Sequence, residues 1–167
     1  AASDVYKRQP HSLSNAFTAS LLDLPLPHTE SVRCLVEALG IAALTVPHPL
    51  RNHTVVLTLD HKRRGVGLGR CSALTARSMH EVISECSLHP EAHGAVVVSV
   101  RISGVVQPDD VELLHRLETS FHYAGLCLVD FACVGRGGIY CPRNLLDVPD
   151  PWLRDPDRTG ARYRPSA

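Results

Sequence analysis

The stretch "AVVVSVRISGVVQPDD" (95–110) decides the fold. Its valines, Val96 to Val98 and Val100, predict a buried strand. The strand passes through a short loop into an acidic helix start. In α/β proteins chemistry collects at such strand ends. This strand end offers Ser99 and Arg101, where a reactive centre would use His, Glu or Cys.

Downstream, "PDDVELLHRLETSFHYAG" (108–125) predicts the clearest helix, with Asp109 as N-cap, an acidic first turn suited to the helix dipole and Gly125 just past its end. "LCLVDFACV" predicts the next strand, which "GRGG" turns into "IYC". Upstream, "HTVVLTLD" (53–60) and "GVGLGRC" (65–71) flank the polar "HKRR" (61–64) and predict an antiparallel hairpin over 53–59 and 65–71. "ARSMHEVISEC" sets Met79, Val82, Ile83 and Cys86 at helical spacing. "TESVRCLVEALG" predicts a helix over 29–39, with Thr29 as N-cap, Val32, Leu35, Val36 and Leu39 on one face and Gly40 ending it. The order is α-β-β-α-β-α-β-β, an α/β fold with a mixed sheet and flanking helices.

The chain has 167 residues, 44% apolar and 20% charged, with a net charge of zero. That is a globular composition without a global field directed at nucleic acid or anionic membrane. No apolar run approaches the roughly 20 residues of a membrane span, so no membrane partner is expected. Six cysteines without C-x-x-C spacing, and no visible signal peptide, fit free thiols in a reducing cytoplasm. Arg far outnumbers Lys, a bias that fits a GC-rich coding genome. The segment "AASDVYKRQ" (1–9) matches in full the translation of a transposon-end sequencing adapter and is set aside from fold reasoning. Residues 10–27 read as a linker, and the Pro-, Asp- and Arg-rich 147–167 as a disordered tail that packs on little.

The run from residue 28 to 146 resembles the RadC-like branch of the JAB/MPN metalloprotease superfamily. "LTLDHKRR" (57–64) is similar to that family's L-D-x-x-N-R hairpin, "DDVELLHRLE" (109–118) to its E-D-x-x-L-T-x-R-L helix, and "GLCLVDFACVG" (125–135) to its G-I-x-L-L-D-H-I-I-I-G strand. Each landmark is weak alone, and their order and spacing carry the resemblance. It implies the JAB/MPN (cytidine deaminase-like) architecture. In active members the strand matching "VVVSVRISG" ends in H-x-H-P-S-G. The two His and a downstream Asp hold zinc, and a Glu on the hairpin handles the proton of the zinc-bound water, whose pKa the metal lowers toward ~7.

Carried over by position, Ser99 and Arg101 stand where the two His would be, and Gly69 where the Glu would be. Ser103 and Gly104 match the S-G, and Asp110 matches the metal-binding Asp if the loop is shortened by two residues; otherwise Glu112 takes that place. An Arg cannot deprotonate to coordinate a metal. The resemblance therefore implies a catalytically inactive domain with no cofactor and a vestigial cleft of Gly69, Ser99, Arg101, Ser103 and Asp110, acting as a binding or scaffolding module that takes any ligand in that cleft, its partner left open with a protein among the candidates. An Asp that outlives its metal needs a new counter-charge, and Arg101 is expected to supply it.

Two alternatives stay open at this level. One is a metal-dependent hydrolase with non-standard ligands, and the other a nucleic-acid-associated accessory protein using the basic hairpin. Other constellations are weaker. Ser99, Asp110 and His115 lack the nucleophile elbow of a triad hydrolase. His89 and His93 lack the further ligands a metal needs. Gly65, Gly67 and Gly69 lie inside a strand, where they serve close packing or a bulge better than phosphate binding. Cys127 and Cys133 share strand parity and read as small buried hydrophobes.

Overall fold

The β-branched segment His53–Leu59 (β1) is buried along its whole length and pairs antiparallel with Gly65–Cys71 (β2), so the expected hairpin forms. The computed structural model describes residues 24–154 apart from His48; the adapter-like 1–9 lies outside the described residues. On its other side β1 pairs antiparallel with Gly94–Arg101 (β3), which is buried from end to end. Parallel to β3 runs Cys127–Gly135 (β4), and the short Gly138–Tyr140 (β5) closes the sheet, in the order β2-β1-β3-β4-β5.

Three helices cover this mixed sheet: Leu35–Ala43 (α1), Met79–Ser87 (α2) and Asp110–Tyr123 (α3). The first packs on one face, against Val55, Leu57, Val96 and Val98. The other two pack on the opposite face, where Leu117 and Phe121 of α3 are fully buried with Val56, Val97 and Phe131. Side chains of this kind each contribute about 1.5–3 kcal/mol on burial, so the two-sided apolar cover is what holds β1 and β3 at the centre. Gly125 ends α3 at a φ of 72°, in the left-handed region that glycine enters without a Cβ penalty.

Several expectations need correction. The first helix does not begin after Thr29, which lies in a turn; Ser31 instead bridges to Arg64 and the Val32 amide donates to the Arg63 carbonyl, holding 31–32 extended against the hairpin turn. Gly40 is buried inside α1 rather than ending it, and Val36 is 66% exposed rather than on the apolar face. In the segment read as a linker, residues 10–23 lie outside the described residues. Residues 24–27 lead to His28, whose amide donates to the Gly65 carbonyl. Cys127 and Cys133 do not share a face, because the register shifts between Ala95 and Val96 and one extra β4 residue is inserted; Cys127 is exposed and Cys133 buried.

The tail assigned to 147–167 does not begin at 147. Pro151–Leu153 forms a short 3-10 helix, and Trp152 packs against the α1-side core. Its Nε1 donates to the Oδ2 of Asp130 at 2.7 Å, while the Arg143 Nε and the Phe131 amide donate to Oδ1, both at 2.9 Å. The Arg63 Nη2 donates to the Pro151 carbonyl at 2.8 Å, and its guanidinium stacks 5.6 Å from the Trp152 ring centroid. One aromatic with a polar tip thus anchors a segment whose composition reads as disordered. Residues 155–167 lie outside the described residues.

Asp130→Ala is expected to cost about 3 kcal/mol, because a charged acceptor with three donors is lost and Arg143 loses its buried partner. Urea unfolding measures the cost, and a red shift of Trp152 emission reports release of 149–154. Unchanged emission would show that the segment is held without Asp130.

Candidate functional site

Alternation along β3 sends Ser99 and Arg101 to the face covered by α2 and α3, with Val97. Gly135 of β4 lies opposite Arg101, and a Cβ there would come within 2.7 Å of the Arg101 carbonyl oxygen, so glycine permits this close strand approach. The loop after β3 carries Ile102, Ser103 and Gly104 into solvent and returns through Val105, which is buried. Asp109 occupies the N-cap position of α3 but makes no side-chain cap bond; Asp110, at the first helical position, instead accepts from the Gln107 amide at 2.7 Å.

Arg101 reaches Asp110 in a bidentate pair. Its Nη1 donates to Oδ2 at 3.0 Å and its Nη2 to Oδ1 at 2.5 Å. Nη1 also donates to the Val105 carbonyl at 2.6 Å, and Nε to the Ser99 Oγ at 3.3 Å. Every nitrogen of the guanidinium therefore has an acceptor, and the carboxylate has three donors. Both groups are removed from water: Arg101 is 5% exposed and Asp110 1%. Burial works against the charged guanidinium, and the hydrogen bonds and charge of Asp110 outweigh it, so the Arg101 pKa lies above the ordinary arginine value. A planar fork on a carboxylate is the geometry that makes such a pair tolerable in a protein interior.

Of the two carboxylates weighed as its partner, Arg101 takes Asp110. Asp110 holds Arg101, whereas Glu112 is exposed and pairs with Arg116 on its own helix. The other assigned positions do not join the pair. Ser103 is exposed on the loop. Gly69 lies on the same sheet face but opposite Val56 and thence Val97, one row away from Ser99, whose neighbour on β1 is Thr54. A Cβ at Gly69 would meet the Glu85 carboxylate of α2, and one at Gly67 the His89 ring, so these two glycines make room for side chains laid across β2.

Two neighbours flank the pair: Cys133, read from the sequence only as a small buried hydrophobe, and Tyr140, which the sequence pattern does not single out. Cys133 sits opposite Ser99 on β4, and its thiol is pushed up to about 12 by burial, with Arg101 opposing and Asp110 adding. It stays protonated and inert at neutral pH. Tyr140 follows opposite Cys133 on β5, and its buried hydroxyl has no hydrogen-bond partner among the described residues. Strand parity finds both once the β4–β5 register is known. The site can hold a charge pair; it offers neither an exposed nucleophile nor an imidazole. Among the described residues no group of three or more His, Cys, Asp or Glu is placed to hold a metal ion.

No protein-family model matches the chain, and comparison with curated proteins finds no similar sequence.

Proposed function

We propose that this domain is a catalytically inactive relative of the RadC-like JAB/MPN proteins, serving as a binding or scaffolding module for a protein partner. The observation that supports this reading is the Arg101–Asp110 pair. The resemblance assigns the two positions to a metal-binding His and Asp, and here the cation between them is a guanidinium fixed to the chain. The mixed five-stranded sheet, with one helix on one face and two on the other, accommodates the JAB/MPN architecture. Arg101 and Asp110 are buried and satisfy each other, so the partner surface is to be sought outside this pair.

The hydrolase alternative gains no support, since its ligands would have to displace a bidentate Arg. The nucleic-acid alternative loses part of its basis: Arg64 is held by Asp60 at 2.7 Å and Arg63 by Pro151 and Trp152, so half of the basic hairpin is engaged in folding. No helix among the described residues is long and apolar enough to cross a membrane.

Thermal melting with and without chelator tests the reading. A resident metal at 100 times its Kd would add about 2.7 kcal/mol, or roughly 5–11 °C for a chain of this size. The melting temperature is expected to be the same in EDTA, in zinc and in plain buffer. A fall of several degrees in EDTA, restored by zinc, would overturn the proposal.

A further inference from the structure

At the opposite end of β3 from the Arg101–Asp110 pair, a small cavity of about 90 Å³ opens where β1 ends and β3 and β4 begin. Its walls include His61 and Arg63 from the hairpin turn, His93 before β3, Cys127 at the start of β4, and Arg154 beyond the Trp152 anchor. Four residues with nitrogen-bearing side chains, from three separate parts of the chain, thus line one recess. Drug-sized ligands occupy about 300–1,000 Å³, so the space suits a small ion or the end group of a larger molecule.

The electrostatics of the recess are lopsided. Asp60 is its one carboxylate among the described lining residues, and Asp60 is already occupied: Oδ1 accepts from the Lys62 and Arg64 amides and Oδ2 from the Arg64 Nε. Arg63 spends one donor on the Pro151 carbonyl, and no acceptor is recorded for its Nε and Nη1 among the described residues. Its backbone sits at a φ of 59°, a left-handed conformation that disfavours a side chain, and this turn presents the guanidinium toward Trp152 and the recess. Arg154, His61 and His93 make no side-chain hydrogen bond among the described residues. At Cys127 surrounding atoms desolvate the thiol and raise its pKa, while Arg63 and Arg154 both oppose the rise, so the two guanidiniums bear on one point.

We propose that this recess is a binding site for a tetrahedral oxyanion, a phosphate or sulfate group. Two arginines that line one recess with no free carboxylate among its described residues repel each other, and an anion between them removes that repulsion while accepting the unused N–H donors. The guanidinium fork matches the oxygens of such a group, and the two imidazoles add donors at the rim. The site is independent of the proposed loss of the metal centre, since it lies at the other end of the sheet and shares no residue with it.

The chain holds a single tryptophan, and Trp152 lies under Arg63, so its fluorescence reports the site. The full chain is titrated with inorganic phosphate, sulfate and acetate at ionic strength held constant with chloride, with 31P line broadening of phosphate as a second readout. Saturable binding of phosphate and sulfate in the millimolar range or tighter is expected, with acetate at least tenfold weaker. The paired substitution His61→Ala and Arg154→Ala, at exposed positions, should weaken phosphate at least tenfold and leave the urea midpoint unchanged. Phenyl phosphate binding more tightly than phosphate would assign the site to the phosphoryl group of a larger ligand; equal binding would assign it to the free ion. No saturable response in either readout, or undiminished affinity in the paired variant, would overturn the proposal.

Discussion

Replacing Arg101 by Met is expected to destabilise the domain by about 3–5 kcal/mol, the range found when one partner of a buried ion pair is removed. Asp110 is 1% exposed and takes two of its three hydrogen bonds from Arg101. The variant leaves that carboxylate without a counter-charge, and the Val105 carbonyl and Ser99 hydroxyl lose a donor as well. A domain stability of about 5–15 kcal/mol makes this a large fraction of the total. The double variant Arg101→Met with Asp110→Leu removes both charges together and should recover most of the loss, because an apolar pair of similar volume replaces a buried ion pair at little net cost. Urea unfolding of the two variants measures the difference. A loss below about 1 kcal/mol in Arg101→Met would mean that the pair is solvated in solution, and the argument for a fixed cation would fail.

Much of this site was legible in the residues, and the reason is local. The run 95–101 is rich in valine and buried throughout, so its strand follows from pattern, and alternation sets Ser99 and Arg101 on one face. The Asp–Glu-rich start and terminal Gly125 set α3 beside that strand end. Charge then required Arg101 to find a carboxylate, and the structure decides between Asp110 and Glu112 by exposure. Legibility failed where distant chain segments overrule local pattern. Ser31 is drawn from a helix by Arg64, 33 positions later, through a backbone bridge. Trp152 orders a Pro-rich segment through Asp130, and Arg63 does so through Pro151; composition carries no trace of either contact. The extra residue in β4 breaks strict alternation, which is why parity misplaced Cys127.

The second large effect is a gain. Substituting Ser99→His and Arg101→His together is expected to create zinc binding, with none expected in the parent chain. The two positions lie on one face of β3, two residues apart, and the Arg101 side chain already bridges from the Ser99 hydroxyl to the Asp110 carboxylate. Imidazoles at both positions with Asp110 would form a two-His, one-carboxylate set with room for water, which is the donor set of a catalytic zinc site. Removing Arg101 also leaves Asp110 in need of a cation, so the charge balance that opposes Arg101→Met favours the metal in this variant.

Zinc stoichiometry measured by mass spectrometry on natively purified parent protein, with the Ser99→His, Arg101→His variant beside it, tests the substitution of guanidinium for metal most directly. The account predicts less than a tenth of an equivalent in the parent and close to one equivalent in the variant, lost again when Asp110→Ala is added. One equivalent of zinc in the parent, removed by Asp110→Ala, would contradict it.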